Sequence, residues 1–380
     1  MEIENKLFQL GESARFDLCN SRRERESSFS YLIHPAVLPG GGCINLLKVL
    51  YTNECSGECF YCANYCNSPK KRLSFKPDEL AKIFFSFYQQ EYVKGLFLSS
   101  GLGLDHNQTQ QEMIDTIEIL RKKFMFKGYI HLKILPGVKE DLIIRGLELA
   151  DRVSINLEAP SDYRLKMLSR KKINYDDLLG KISFIKNTID KRHLKKDQTT
   201  QFVVGASEES DKEILSRTFN LYQDFQLKRV YYSAFKPLPS TPFSNKEATP
   251  LIREVRLYQA DFLLREYNFH LRDILFGSQD TLNREIDPKL MYARLHPEIY
   301  PVEINKADYF SLLKVPGIGP KSAKRIIENR RKNTYKTTNE LKSTGAVLKR
   351  ALPFITLNGK IPEKLNEVTN QLKMEWREAI

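Results

Sequence analysis

Between residues 44 and 236, short apolar runs alternate with longer segments whose apolar positions recur every three or four residues. The runs are rich in Val, Ile, Leu, Phe and Tyr and predict six strands, over 44–51, 95–99, 129–135, 152–157, 200–205 and 229–235. The periodic segments predict helices over 77–92, opened by Pro-Asp-Glu, then 110–123, 140–149, 175–190 and 211–225. Strands alternating with helices imply βαβ units and a parallel sheet. Six of them imply a curved, partly closed α/β barrel whose active residues gather at the C-terminal strand ends.

The pattern then breaks. Residues 236–249 (KPLPSTPFSNKEAT) are dense in Pro, Ser and Thr and read as a surface loop or lid. Helical periodicity returns over 251–267, an irregular stretch with Pro288, Pro297 and Pro301 follows, and a new unit begins near Val302. The chain thus divides into an N-terminal extension (1–43), a (βα)6 TIM-like barrel core (44–236), a connector with a lid loop and a helix (237–301) and a C-terminal α-helical domain (302–380).

A length of 380 residues suits two or three domains, and 41% apolar residues suffice for a large core. Disulfide-stapled miniproteins and global disorder are excluded. No apolar run reaches the roughly 18 residues of a membrane span, and the N-terminus lacks a signal-peptide pattern, so no membrane partner and a cytoplasmic location are expected. The net charge of +13 points to a polyanionic partner, and residues 303–380 carry +8 of it, with 16 Lys+Arg against 8 Asp+Glu.

Four of the six cysteines, Cys55, Cys59, Cys62 and Cys66, crowd into one short segment directly after the first strand; Cys19 and Cys43 stand apart. In a reducing compartment such a cluster signals metal binding or catalysis. Cys55, Cys59 and Cys62, spaced by four and three on a loop, reach three corners of one iron–sulfur cube and leave the fourth iron open. The competing reading is zinc with Cys66 as fourth ligand.

The spacing C-x3-C-x2-C, with Tyr61 before the last cysteine and a βα barrel around it, resembles the radical S-adenosylmethionine (radical SAM) enzymes. The resemblance implies that Cys55, Cys59 and Cys62 hold a 4Fe–4S cluster, that S-adenosyl-L-methionine is the second cofactor, and that Tyr61 lies beside its adenine. It places the superfamily's glycine-rich segment at Ser99, Ser100 and Gly101, near the methionyl amino group. It assigns Lys133, Asn156 and Glu158, at the ends of the third and fourth strands, to the cofactor's ribose and carboxylate, and Gly205, Ala206 and Ser207 to backbone contacts at the adenine. From about residue 40 to about 350, runs such as LLKVLYTNEC, ADRVSINLEAP, VVGASEESD and VPGIGPKSAKRI resemble, in order, the family of DNA modification or repair radical SAM proteins. One departure is Gln111, near a position where that family carries an acidic residue, so no acid–base role is assigned there.

The segment 313–326, with Pro316-Gly317-Ile318-Gly319 between two short helical stretches, reads as a helix-hairpin-helix. Gly317 and Gly319 free backbone amides at a helix start to bind phosphate, and Lys321 and Lys324 add charge without reading bases. A second hairpin is expected over 338–350. Cys66 and Tyr232, the latter at the end of the sixth strand, are candidate catalytic groups that relay a hydrogen atom. Cys19, Cys43 and Cys66 are enough in number for a second cluster, but their scattered spacing favours other roles: Cys43, like Cys66, is a candidate hydrogen-atom donor, and Cys19 reads as a packed thiol. The expected protein is an enzyme that modifies or repairs a nucleotide in DNA, fed by a reductant such as flavodoxin or ferredoxin. The rivals are RNA modification, since phosphate contacts do not distinguish RNA from DNA, and a non-catalytic iron–sulfur DNA sensor.

Overall fold

The six predicted strands form, and one more precedes them. β1 (Ile33–Val37) pairs antiparallel with β2 (Cys43–Leu50). β3 (Gly95–Ser99), β4 (Tyr129–Lys133), β5 (Arg152–Ser154), β6 (Asp197–Val204) and β7 (Arg229–Ala234) follow in chain order, each parallel to the last. The result is a curled, open half-barrel, a partial (βα)6 barrel with an added edge strand. β1 escapes a pattern reading because it carries Pro35, which an edge strand tolerates. This computed structural model describes residues 2–14, 32–37, 43–170 and 174–362; Cys19 lies outside them.

Helices α1 (Glu2–Ala14), α2 (Pro77–Gln89), α3 (His106–Glu118), α4 (Glu140–Leu149), α5 (Asp162–Leu168), α6 (Tyr175–Lys191) and α7 (Asp211–Phe225) accompany the sheet. Their ends follow from local chemistry. The Asp105 carboxylate accepts the Asn107 and Gln108 amides to start α3, and Ser210 and Glu213 form a reciprocal capping box on α7. The two faces of the sheet differ. One face buries Leu47, Val49, Leu96, Leu98, Ile130, Leu132 and Val153, each 1% exposed or less. Each such side chain contributes roughly 1.5–3 kcal/mol. The other face is mixed: strand register aligns Lys48, Phe97, His131, Arg152 and Asp197 across five strands. The apolar layer supplies the stability, which leaves the mixed face free for chemistry.

The chain divides into two compact units, Met1–Glu254 and Val255–Ile380, and α8 (Leu251–Glu266) contains the boundary. In the second unit, α9 (Pro288–Leu295) forms where the sequence reads as irregular. Pro288 occupies the first helical position and the Asp287 carboxylate accepts the Leu290 amide at 3.1 Å, so the proline starts a helix rather than interrupting one. Next come β8 (Val302–Glu303), α10 (Tyr309–Lys314), α11 (Pro320–Arg330), α12 (Thr338–Lys342), α13 (Leu348–Ala351) and β9 (Ile355–Thr356). β8 and β9 pair in parallel and clasp the two helical hairpins between them. Leu312, Leu313, Ile318, Ala323, Ile326, Leu341 and Ala351 pack into one core. Among the described residues no helix is long and apolar enough to cross a membrane.

Candidate active site

The cysteine loop leaves β2 and is wound tightly on itself. The Cys62 amide donates to the Cys59 carbonyl (3.1 Å), Tyr65 to Cys62 (3.0 Å) and Cys66 to Gly57 (3.2 Å). Arg72 gathers the loop from below, its guanidinium donating to the carbonyls of Asn53 (2.6 Å), Tyr65 (2.6 Å) and Cys66 (3.1 Å). Gly57 sits between two sulfurs: a Cβ there would lie 3.2 Å from Cys55 Sγ and 3.9 Å from Cys59 Sγ. Cys55 Sγ accepts the Gly57 and Leu102 amides, and Cys62 Sγ the Asn64 amide, all at 3.4 Å.

The segment after β3 lies edge-on against this loop. Gly101 donates to the Thr52 carbonyl (2.7 Å) and Gly103 to that of Glu54 (2.9 Å), and Cys55 bridges to Gly103 in parallel register. A Cβ on Gly101 would collide with the Glu54 carbonyl, so this glycine is fixed by the cysteine loop itself. Ser99 is fully buried. The neighbouring Ser100 hydroxyl is buried without a protein partner.

Beyond β5, Asn156 and Glu158 are partly exposed and alternate with buried Ile155 and Leu157. Glu158 adopts a left-handed backbone (φ 62°), at a cost of about 1 kcal/mol, yet both its backbone groups pair with β6, through Gln201 and Val203 at 2.9 Å. Its carboxylate bonds the Tyr61 hydroxyl. Burial first, then the negative charges of Glu158, Cys59 and Cys62, raise the Tyr61 hydroxyl well above its ordinary range. Burial likewise raises the Cys59 thiol, reinforced by Cys62, Glu158 and Cys55 and opposed by Lys133. The fold therefore brings Cys55, Cys59, Cys62, Tyr61, Lys133 and Glu158 within electrostatic reach of one another.

Gly205, at φ 88°, Ala206 and Ser207 follow β6. The buried carboxylate of Glu209 accepts the Gly205 and Ser207 amides and the Ser207 hydroxyl. Arg253 ties Glu209 to Asp211, and Lys246 donates to the Ala206 carbonyl at 2.9 Å. Glu209, Arg253, Lys246 and Arg72 are the organising residues that the sequence reading missed. Nothing in the sequence distinguishes Glu208 from Glu209, yet the fold buries Glu209 and leaves Glu208 exposed.

Tyr232 requires correction. Its ring is fully buried and its hydroxyl contacts the Thr218 hydroxyl of α7 at 3.0 Å, on the helix side of the sheet. Tyr231, facing the other way, is partly exposed, with Arg229 over its ring at 4.9 Å. The inner face carries further polar groups. His131 Nε2 lies 3.0 Å from Ser154 Oγ, and burial with the charges of Arg152 and Lys133 keeps this imidazole neutral. Thr199, whose Cα pairs with that of Ser154, has a buried hydroxyl without a partner.

The donor set suits a cluster better than a single ion. Zn–S bonds of about 2.3 Å would bring tetrahedral thiolates within roughly 3.8 Å of one another. Among the described residues no three Cys, His, Asp or Glu side chains stand so as to hold one metal ion. Cys43 is exposed at the start of β2, away from the loop register.

In the second unit α10 and α11 flank the Val315–Gly319 turn, and α12 and α13 form the second hairpin. Gly317 has φ 85°, and a Cβ there would meet the Val347 carbonyl at 2.5 Å. Gly319 is the N-cap of α11 and supplies no side-chain oxygen to the helix's first amides. Lys321 and Lys324 are exposed beside them.

Residues 49–216 match the radical SAM superfamily, and residues 298–351 the helix-hairpin-helix motif. No curated protein sequence matches the chain. Among solved structures it is similar to methylornithine synthase PylB (13% identity, TM-score 0.46, covering 57% of this chain and 60% of that one). It is also similar to the FeFe-hydrogenase maturase HydG from Carboxydothermus hydrogenoformans (16%, 0.44, 57% and 50%). A third is the radical S-adenosylmethionine methyltransferase TsrM from Kitasatospora setae, solved with cobalamin and a 4Fe–4S cluster (12%, 0.40, 76% and 53%). The chain spans about half to three fifths of the length of these structures. The chain thus carries a radical SAM domain and, in its C-terminal unit, a helix-hairpin-helix motif.

Proposed function

We propose that this enzyme modifies or repairs a nucleotide in DNA. In this reading Cys55, Cys59 and Cys62 hold the cluster. Ser99, Ser100 and Gly101 receive the amino group of S-adenosylmethionine, with the unpartnered Ser100 hydroxyl as donor or acceptor. Lys133, Asn156 and Glu158 orient its carboxylate and ribose, and Tyr61 with Gly205, Ala206 and Ser207 frames the adenine. When bound, the two cofactors supply a 5′-deoxyadenosyl radical, with electrons from a flavodoxin- or ferredoxin-type reductant.

The residues of this chain shape what that chemistry meets. Neutral His131, Ser154 and Thr199 offer hydrogen bonds on the inner face of the sheet, which suits the edge of a polar ring. A base inside a duplex cannot reach such a face, so the target nucleotide leaves the stack. Cys66, held beside the triad by Gly57 and Arg72, is the candidate to return a hydrogen atom to the product. Gly317, Gly319, Lys321 and Lys324 grip the phosphate backbone. The observation that carries the nucleic-acid assignment is the uncapped, lysine-flanked start of α11 in the same chain as the cysteine site; the choice of DNA over RNA rests on the sequence resemblance alone. The reaction belongs in the cytoplasm, where thiols stay reduced.

The test is anaerobic incubation with uniformly deuterated DNA and, separately, matched RNA, followed by mass spectrometry of the digested nucleosides and of 5′-deoxyadenosine. Altered deoxynucleoside together with deuterium in 5′-deoxyadenosine is expected. Altered nucleoside only in RNA would reassign the substrate, and S-adenosylmethionine binding without any turnover would indicate a sensor.

A further inference from the structure

A buried cation in the second unit has no part in the reading above. Lys289, in the first turn of α9, is 8% exposed. Its ammonium donates to the Ile318 carbonyl at 2.5 Å and lies 4.6 Å from the centre of the Tyr267 ring. Ile318 is the residue between the two glycines of the hairpin turn. Lysine is almost never buried without a carboxylate partner, yet the hydrogen bond found for it here is to a main-chain oxygen.

That oxygen matters because a peptide unit is rigid and trans. The Ile318 carbonyl and the Gly319 N–H belong to one plane and point in opposite directions. Pulling the carbonyl toward α9 turns the Gly319 amide away from it, at the uncapped start of α11. A cation on the carbonyl also polarises the unit and makes the amide a stronger donor. The turn is held at one more point, where the Val347 amide donates to the Gly317 carbonyl at 2.9 Å, and the Tyr267 hydroxyl lies close by, 3.1 Å from where a Gly319 Cβ would be.

We propose that Lys289 is a positioning residue of the hairpin, whose charged form aims and strengthens the Gly319 amide toward a nucleic-acid phosphate, so that losing its proton weakens the grip. This rests on the reading of the hairpin as a phosphate-binding element. The groups that face the ammonium are Tyr267 from α8, Asp287 at the start of its own helix and Arg350 from α13, which pairs with Asp287; the turn presents an uncharged carbonyl. Burial, then the repulsion of Arg350, against the attraction of Asp287, brings the ammonium down to about 7. A phosphate bound at the turn favours the charged form, so binding takes up a proton as pH rises past that value.

The experiment measures affinity of the full chain for one duplex DNA oligonucleotide at a single low salt concentration, from about pH 6 to about pH 8.5, spanning the titration. Wild-type affinity should fall about three- to fivefold across that range, the size of one charge acting near a phosphate through a wet surface. Lys289→Met should lack that fall and remain at the weak end. A wild type that binds with a flat profile, or a Lys289→Met profile as steep as wild type, overturns the proposal and leaves the hairpin reading standing. Absence of DNA binding at every pH overturns both. Should Lys289→Met fail to fold, the Lys289 side-chain carbon signal in wild type decides by NMR. A midpoint near 7 that rises on adding DNA is expected, and a midpoint that DNA does not move overturns the proposal.

Discussion

The two units offer opposite parts of the chain to their ligands. Around the strand ends of the first unit, protein atoms occupy much of the backbone: Thr52 takes the Gly101 amide, Glu54 that of Gly103, and Glu209 those of Gly205 and Ser207. What faces outward is side chains: three thiols, a carboxylate, an ammonium and hydroxyls. At the hairpin, Gly319 supplies no side-chain cap for α11, and Lys321 and Lys324 beside it are exposed. A surface of side chains can discriminate among substrates, whereas a surface of amides and diffuse charge grips any phosphate backbone. Selectivity should therefore reside in the barrel and affinity in the hairpin.

The strongest way to break that division is to remove a thiol. Cys59→Ala should lower reconstituted iron from about four atoms per chain to none while leaving DNA affinity as it was. Loss of the cluster only on changing Cys66, or a parallel loss of DNA binding, would sink it. A smaller effect sharpens the other side. Lys321→Glu should weaken binding to all duplexes alike, roughly tenfold at low salt, and reduce the salt slope by about one. Iron content should not change, and sequence-selective weakening would place base reading in the hairpin.

The smallest effect concerns the clasp around the hairpins. The Glu303 carboxylate accepts the amides of Asn305 (3.0 Å), Asn358 (3.1 Å) and Gly359 (2.8 Å). Burial acts to raise its protonation range, but these bonds prevail and hold it below the usual value. A carboxyl depressed in the folded state stabilises above its unfolded value of about 4.3 and loses that contribution as pH falls through the lower folded one. Glu303→Gln should cost about 1 kcal/mol at neutral pH, with the deficit vanishing in acid, by thermal unfolding at several pH values. A deficit that persists unchanged in acid contradicts the assignment.

What could be read from the sequence follows the same division. The strands are legible because one face is a continuous apolar layer, and α4 and α7 fall over 140–149 and 211–225 as the periodicity predicts. The cysteine loop is legible because its chemistry lies in contiguous residues. The inner face is not: Arg152 and Asp197 pair across β5 and β6, and in isolation each resembles a solvated strand end. Tyr232 misleads for a related reason. Two adjacent tyrosines on a strand face opposite sides, and the register with Gln201 and Phe202, rather than residue type, decides which is inside. Glu209 is invisible because its local bonds to Gly205 and Ser207 need the left-handed turn at Gly205, and Arg253 becomes its neighbour only when the chain folds back.

The winding of the cysteine loop also bears on how the protein is made. All three thiols are in the nascent chain once residue 62 is synthesised, yet the loop's supports come far later. Phe60 donates to the Leu168 carbonyl at 2.9 Å and accepts from the Phe243 amide at 3.2 Å, Cys59 bridges to Ser169, and Tyr61 needs Glu158. At about 5–20 residues per second, the thiols stay without their scaffold for on the order of ten seconds or more of elongation. Cluster loading belongs after the strap at Phe243 has closed, and the nascent chain before that point is the form most exposed to oxidation.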